Sequence, residues 1–187
     1  MDFIEQLHSS SGFTAILVVI DQLSKQVIFI PTHDTITSSE LAQLFLLHVF
    51  ANHGIPAHVT SNQGSEFVSH FFWSLGKALD MKLHFTLGYH PEGDGQTKQA
   101  NQTLEQYLQM YYNYRQDNWS DLLPLTKFAY NNAPSATTGV SLFFTNKGYH
   151  PNITVHPKHN LSLAWARQYA VDLESLHQYL CEEMAAA

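Results

Sequence analysis

Residues 13–50, FTAILVVIDQLSKQVIFIPTHDTITSSELAQLFLLHVF, decide the fold of this chain. The first part holds two runs rich in β-branched residues, 13–20 and 27–30, which a short polar segment separates and which predict two strands. The second part changes period. Thr37 and Glu40 form a capping-box pattern, and the apolar residues after them recur at helical spacing. A chain that turns from strands to a helix in this way is typical of a mixed α/β domain.

The flanking segments continue the alternation of strands and helices. Residues 1–7 complete a predicted three-stranded antiparallel start, Gly54 and Pro56 end the first helix, and Ser141 is placed to cap a short helix. This order predicts an α/β fold in which helices flank a five-stranded mixed sheet. The other predicted elements are strands at 58–61 and 82–86, helices at 67–79, around 104–111, 118–130 and 162–183, and a glycine-rich loop at 88–96.

The composition favours one globular domain, and the charge balance argues against tight binding of nucleic acid. The 187 residues are 44% hydrophobic and 13% charged, which excludes a disordered chain and allows a sizeable core. Nine Lys and Arg against sixteen Asp and Glu give a formal net charge of −7. Affinity for nucleic acid comes largely from basic side chains that displace counterions. We therefore expect nucleic-acid binding by this chain alone to be weak at best.

The cysteine count and the lengths of the apolar runs indicate the cellular location that we expect for this protein. Cys181 is the single cysteine, so internal disulfides and cysteine-based zinc sites are excluded. The first residues resemble no signal peptide, and the longest apolar run, 15–20, is far shorter than the roughly 20 residues that span a bilayer. We expect an intracellular protein, nuclear or cytoplasmic, with no membrane partner.

Four motifs follow one another along the chain. They are MDFIEQL with AILVVIDQLSKQVIFIPT, then VTSNQGSEFVS, then YHPEGDGQTKQANQTLEQYL, and last FAYNNAPSATTGVSLFFTNKGYHP. In this order they resemble the catalytic core of gypsy-type LTR-retrotransposon integrases. The resemblance implies a ribonuclease H-like fold and divides the chain into an integrase-core-like domain at 1–155 and a C-terminal helical extension at 156–187. It also leads us to expect that the family's N-terminal zinc-binding module and C-terminal DNA- or chromatin-binding module are absent.

The resemblance implies a metal site built from three carboxylates that hold two divalent ions, Mg²⁺ or Mn²⁺. The three positions fall here on Asp2, Asn62 and Lys98, so two of the three family acids are replaced. The family spacing between the last two positions survives, because 98 − 62 = 36 leaves 35 residues between them. The basic residues that commonly follow the second and third acids in the family are also replaced, by Gln63 and Gln99.

The two replacements remove the chemistry that a metal pair requires. Two-metal phosphoryl transfer needs anionic oxygens around ions about 3.5–4 Å apart. Asn62 offers one neutral oxygen, and Lys98 puts a cation where a dication would bind. We therefore predict no bound metal, no cofactor and no catalysis. Lys98 either pairs with Asp2 or points into solvent, and both alternatives stay open.

Other side chains offer alternatives to this interpretation. Asp94, or Glu92, could supply a shifted carboxylate near Lys98, whereas Glu66 is interpreted as an acid at a helix start. His90 and His150 each precede a proline, and no histidine pair has zinc-ligand spacing, so both are predicted to be surface or hydrogen-bonded residues. The aromatic side chains predicted to lie in the core are Phe71, Phe72, Trp73 and Trp119, with the alternative that one of them is exposed at an interface.

Two classes of function remain. The first is an inactive integrase-like core that forms homodimers, contacts a protein partner or binds nucleic acid weakly. The second is a divalent-metal-dependent nuclease or DNA integrase that works with altered ligands. For the dimer, the sequence offers two apolar helix rows, one of Leu122, Leu125 and Phe128 and one of Leu173, Leu176 and Leu180.

Overall fold

The computed structural model describes residues 1–61, 69–85, 101–102, 104–105, 118–135, 138–151, 168 and 175. The chain forms two compact units, one of Met1–Ile20 with Val27–Leu123 and one of Asp21–Gln26 with Pro124–Ala187. The sequence placed a domain boundary near residue 155. Because that boundary lies outside the described residues, it stays a prediction.

The described residues of the first unit hold five strands, the number that the sequence predicted, but they form a three-stranded and a two-stranded sheet where one five-stranded sheet was predicted. β1 (Asp2–Ile4), β2 (Ala15–Ile20) and β3 (Val27–Thr32) form an antiparallel sheet in the order β1-β2-β3. β4 (His58–Ser61) and β5 (Lys82–Phe85) pair in parallel. The Met1 amino group donates a hydrogen bond to the Thr60 carbonyl at 2.6 Å, which joins the β1 edge to β4. Antiparallel and parallel pairs therefore coexist, which makes the strand arrangement mixed.

The capping box at Thr37 starts the first helix, α1 (Ser38–Phe45). The Glu40 amide donates to Thr37 Oγ1 at 3.3 Å, and the Thr37 amide donates to Glu40 Oε2 at 2.8 Å. The Thr37 hydroxyl also donates to Glu40 Oε2, at 2.8 Å, and the hydrogen bonds from the Thr37 amide and hydroxyl lower the pKa of the Glu40 carboxyl. The helix continues through a π-helical turn, Leu46–Phe50, and through α2 (Ala51–His53), and ends at Gly54, whose φ of +78° favours glycine.

The π-helical turn was not predicted. The apolar period of residues 41–49 indicated one continuous α-helix, and its inward face is confirmed because Leu41, Phe45 and Val49 are buried. A π-turn inserts one residue into the helical repeat, and apolar spacing over so short a stretch does not reveal that insertion. The outward side of the turn is apolar and includes Leu47, which is 63% exposed, and the exposed Phe50.

Helix α3 (His70–Ala78) packs between α1 and β5. Ser69 caps it, and Phe72 meets Phe45 edge to face at a centroid distance of 6.2 Å. At Gly76 an added Cβ would lie 2.7 Å from the Leu83 side chain, so only glycine permits this approach of helix to strand. The prediction that Trp73 lies in the core was wrong: its side chain is 51% exposed.

Trp73 faces outward because neighbouring helical residues point about 100° apart, and Phe72 holds the inward position with 1% exposure. Phe72 was therefore predicted correctly, whereas the side chain of Phe71 lies outside the described residues. The first unit buries one continuous core between the strands and α1 and α3. Its members are Met1, Leu17, Ile30, Ile36, Leu41, Phe45, Val49, Val59, Phe72 and Met81.

Two further helices are described, α4 (Trp119–Asn132) and α5 (Leu142–Lys147). Trp119 is fully buried, as predicted, and its indole Nε1 donates to the His8 carbonyl at 2.7 Å. Pro124 is the sixth residue of α4, past the first turn, so the helix lacks the hydrogen bond that an amide at this position would donate to the Ser120 carbonyl. Ser141 caps α5 through a hydrogen bond from the Phe144 amide at 3.1 Å, which confirms the predicted cap.

Several predicted elements fall outside the described residues. They are the loop at 88–96, most of the helix around 104–111 and nearly all of the helix at 162–183, where Leu173, Leu176 and Leu180 also lie. The described residues at 101–102 and 104–105 are helical. No helix in the described part of the chain is long and apolar enough to cross a membrane.

Candidate functional site

Asp2 lies in β1, opposite Val18 of β2, and its half-buried carboxylate is held by two hydrogen bonds. Oδ1 accepts from the Phe3 amide at 3.0 Å. Oδ2 accepts from the side-chain amide of Asn101, also at 3.0 Å, across 99 positions of the chain. A short strand thus presents the carboxylate, and a helical segment from much later in the sequence fixes its orientation.

Asn101 is the residue that sequence reasoning missed at this site. Its side chain is 9% exposed, and one amide hydrogen reaches Asp2. Its Oδ1 is buried, and no donor in the described part of the chain reaches it. A buried acceptor without a partner costs about 1–3 kcal/mol. The signal that could have found Asn101 is its spacing, since it follows Lys98 by three residues, about one helical turn.

The other predicted site positions lie outside the described residues. These are Asn62, Lys98, Gln63, Gln99, Asp94, Glu92, Glu66 and His90. The structure does describe their close neighbours in the chain. Ser61 ends β4 immediately before Asn62, and Asn101 follows Lys98 by three. Two long-range hydrogen bonds, from Asn101 to Asp2 and from Met1 to Thr60, bring these neighbouring segments to the start of β1.

His150 is exposed and hydrogen-bonded, as predicted. Its Nδ1 lies 2.9 Å from Ser141 Oγ, and its ring stacks on Phe144 at a centroid distance of 4.8 Å. His150 therefore interacts with Ser141, the residue that caps α5. No group of three His, Cys, Asp or Glu that could hold a metal occurs among the described residues.

Comparison with known proteins fits this arrangement of strands and motifs. Residues 1–91 match the family model described as the integrase core domain. Over 154 residues the chain is 32% identical to the Transposon Tf2-3 polyprotein of Schizosaccharomyces pombe, and equally to the Tf2-4 polyprotein. The chain belongs to the integrase core family of retrotransposon and retroviral type. That match takes in 82% of this chain, yet the chain spans only 12% of the length of either polyprotein.

Solved retroviral integrases share the fold of this integrase core. The integrase chain in the simian T-cell lymphotropic virus intasome with PP2A regulatory subunit B56 gamma superposes with a TM-score of 0.65, at 19% identity, over 86% of this chain and 57% of that one. The HTLV-2 integrase catalytic core with magnesium, in its trimeric form, gives a TM-score of 0.60 at 16% identity, over 76% of this chain and 91% of that one. These likenesses establish the ribonuclease H-like fold.

The residues present here do not fit the metal pair that the family implies. Both oxygens of the Asp2 carboxylate already accept hydrogen bonds. The other two triad positions carry an amide and an ammonium, Asn62 and Lys98. Mg²⁺ requires several oxygen ligands in near-octahedral geometry and prefers carboxylates. One engaged carboxylate together with an amide and an ammonium side chain is not such a donor set.

Proposed function

We propose that this integrase core does not join DNA and that Lys98 provides the positive charge which a metal provides in related active sites. The observation that carries the proposal is the hydrogen bond from Asn101 to Asp2, because it engages the one triad carboxylate that the sequence retains. The substitutions at Asn62 and Lys98 support it, since they leave no anionic ligand for a second ion.

The buried acceptor of Asn101 supports a role for Lys98. Asn101 Oδ1 needs a donor, and an ammonium carries three. Residues three apart in a helix share a face, so a helical course from 98 to 101 gives the Lys98 ammonium access to both Asp2 and Asn101. In this proposal the ammonium neutralises Asp2 and satisfies Asn101 Oδ1, which stabilises the site without metal.

Restoring the lost acids tests the proposal. We expect Asn62→Asp with Lys98→Glu to create metal binding, so that Mg²⁺ at about 100 times its Kd raises the free energy of unfolding by about 2.7 kcal/mol. The unmodified protein should melt at the same temperature with and without Mg²⁺ at matched ionic strength. Without metal, the variant should melt at a lower temperature, because three clustered carboxylates repel one another.

A matched control removes the remaining acid. Adding Asp2→Asn to the double variant should abolish its response to Mg²⁺, since the site then loses one ligand. DNA joining or nicking by the unmodified protein with Mn²⁺, or a rise in its melting temperature with Mg²⁺, would contradict the proposal. If Asp94→Asn then removed that activity, the alternative of a nuclease with a shifted ligand would be supported instead.

A non-catalytic core of this kind fits a role in protein contact, and we propose that it self-associates. The HTLV-2 integrase cores with magnesium were solved in trimeric and dimeric forms. In this chain the π-helical turn places Leu47 and Phe50 at the surface, and Trp73 of α3 is also exposed. Burying such side chains against a second copy would remove apolar area from water.

A further inference from the structure

The described part of the second unit is locally basic, although the whole chain carries a formal net charge of −7. Its described residues contain three lysines, Lys25, Lys127 and Lys147, and one carboxylate, Asp21. Asp21 is engaged locally, because its Oδ2 accepts from the Ser24 amide at 2.9 Å and from the Ser24 hydroxyl at 2.5 Å. These residues therefore hold two more cationic than anionic side chains, three against one.

Two of these lysines lie on neighbouring helices that pack through a phenylalanine pair. Phe128 of α4 and Phe143 of α5 contact each other at a centroid distance of 5.3 Å. The Lys147 ammonium lies 5.4 Å from the centroid of the Phe143 ring, and Lys127 precedes Phe128 in α4. Partial burial, and secondarily the positive charge of Lys147, lower the pKa of Lys127. Two like charges are thus held close together.

The third lysine belongs to the turn between β2 and β3. The Asn146 side-chain amide of α5 donates to Gln26 Oε1, so this turn contacts α5 directly beside Lys147. Lys25 is the chain neighbour of Gln26, and its ammonium donates to the Gln22 carbonyl at 2.6 Å. The turn therefore adds a cation next to the α4–α5 pair.

Aromatic rings flank Lys147 of α5. Phe144 is exposed and stacks on the exposed ring of His150 with an interplanar angle of 23°. Tyr149, directly after the helix, is 56% exposed. A cationic surface beside exposed aromatic rings is the combination with which proteins hold single-stranded nucleic acid, because phosphates meet cations and bases stack on rings.

We propose that the surface formed by Lys127, Lys147, Phe144 and Tyr149, hereafter the α5 face, binds the sugar–phosphate backbone and bases of single-stranded nucleic acid. Phosphates contact the two lysines and thereby remove the repulsion between them, while bases stack on Phe144 and Tyr149. Lys25 extends the cationic edge. This inference goes beyond the loss of catalysis proposed above and is independent of it, since no metal takes part.

Fluorescence anisotropy with a labelled oligothymidylate of about 16 nucleotides tests the α5 face. The assay contains EDTA and little salt, so that metal chemistry at Asp2 cannot affect it. We expect weak binding by the unmodified protein, and a loss of about tenfold or more in the Lys127→Gln, Lys147→Gln variant. Its salt dependence, the slope of log K against log salt concentration, should become shallower by about 1.4, since two phosphate contacts are lost.

The matched control removes two lysines elsewhere. Lys77→Gln with Lys82→Gln changes the net charge equally but lies on α3 and β5 of the other unit. It should retain most of the affinity. An equal loss in both double variants, or no binding by the unmodified protein at low salt, would overturn the proposal.

Variants of the two aromatic residues test whether the α5 face binds nucleic acid or any polyanion. Phe144→Leu and Tyr149→Leu should weaken oligothymidylate binding several-fold and leave the binding of inorganic polyphosphate unchanged. If both variants bind oligothymidylate normally, or if polyglutamate competes as well as the oligonucleotide does, the proposal fails. Lys147→Gln alone and Phe144→Leu alone serve as the test should the Lys127 change prevent folding, because both side chains are exposed.

Discussion

The two polar atoms of the Asn101 side-chain amide have different surroundings. Its nitrogen orients the Asp2 carboxylate, and its oxygen is a buried acceptor without a donor among the described residues. A lone hydrogen bond to a charged group contributes about 1.5–3 kcal/mol, and an unsatisfied acceptor costs about as much. Whether Asn101 stabilises the fold therefore depends on which group donates a hydrogen bond to its oxygen. We propose that this donor is the Lys98 ammonium.

A double-mutant cycle measures whether the side chains of Lys98 and Asn101 interact. We expect Asn101→Ala and Lys98→Met to be coupled, with an interaction free energy of about 0.5–3 kcal/mol in chemical denaturation. Lys82→Met, on β5, is the matched control and should be additive with Asn101→Ala to within about 0.5 kcal/mol. Additivity of the Lys98 and Asn101 changes would show that the ammonium does not contact the amide.

At the scale of the elements, α1 begins at a capping box and continues into a π-helical turn. The Thr37–Glu40 capping box fixes where the helix begins, whereas the turn at Leu46–Phe50 departs from the α-helical repeat. The helix therefore keeps Leu41 and Phe45 in the core and presents Leu47 and Phe50 to the surface. One helix serves both the fold and the proposed contact surface.

The capping box gives a test of stability against pH. Thr37→Ala should lower the free energy of unfolding by about 1 kcal/mol at neutral pH. Glu40→Gln keeps the hydrogen-bonding pattern and removes the charge. The folded state depresses the pKa of Glu40, so the stability contributed by its charge is present above the unfolded pKa and is lost as pH falls through the folded value.

The difference in melting temperature between the unmodified protein and Glu40→Gln should accordingly be positive at neutral pH and shrink toward zero in acid. Thermal melts recorded across the acid range measure it. A difference that stays constant with pH would show that the charge of Glu40 does not contribute.

At the scale of the whole molecule, the open question is self-association. An obligate two-fold interface buries on the order of 2,000 Å² or more, which requires a continuous apolar surface. The sequence offered the rows of Leu122, Leu125 and Phe128 and of Leu173, Leu176 and Leu180. The described members of the first row, on α4, are half-buried. The outward face of the π-helical turn is more exposed, and we therefore assign it to the contact.

Light scattering decides between these assignments. We expect a species of twice the 21.2 kDa chain mass, which Leu47→Glu with Phe50→Glu converts to monomer. Leu23→Glu is the matched control, because Leu23 is exposed in the turn between β2 and β3 and should leave the dimer intact. Monomer formation by Leu176→Glu alone would favour the C-terminal leucine row, and a monomeric unmodified protein would remove the dimer proposal.

The sequence by itself determined the local elements. The five strands, the capping box at Thr37, the cap at Ser141 and the end of the first helix at Gly54 all follow from period and from backbone preferences, which depend on neighbouring residues. The replacement of two triad acids by Asn62 and Lys98 stays a prediction, which rests on the resemblance to the integrase motifs and on their spacing.

Only the tertiary structure decided which distant residues meet. The hydrogen bond from Asn101 to Asp2 joins positions 99 apart, and the contact between Phe128 and Phe143 depends on how two helices pack. The outward turn of Trp73 depends likewise on Phe72 taking the core position. Such contacts are set by packing across the fold, whereas residue period reports only which face of one element is apolar.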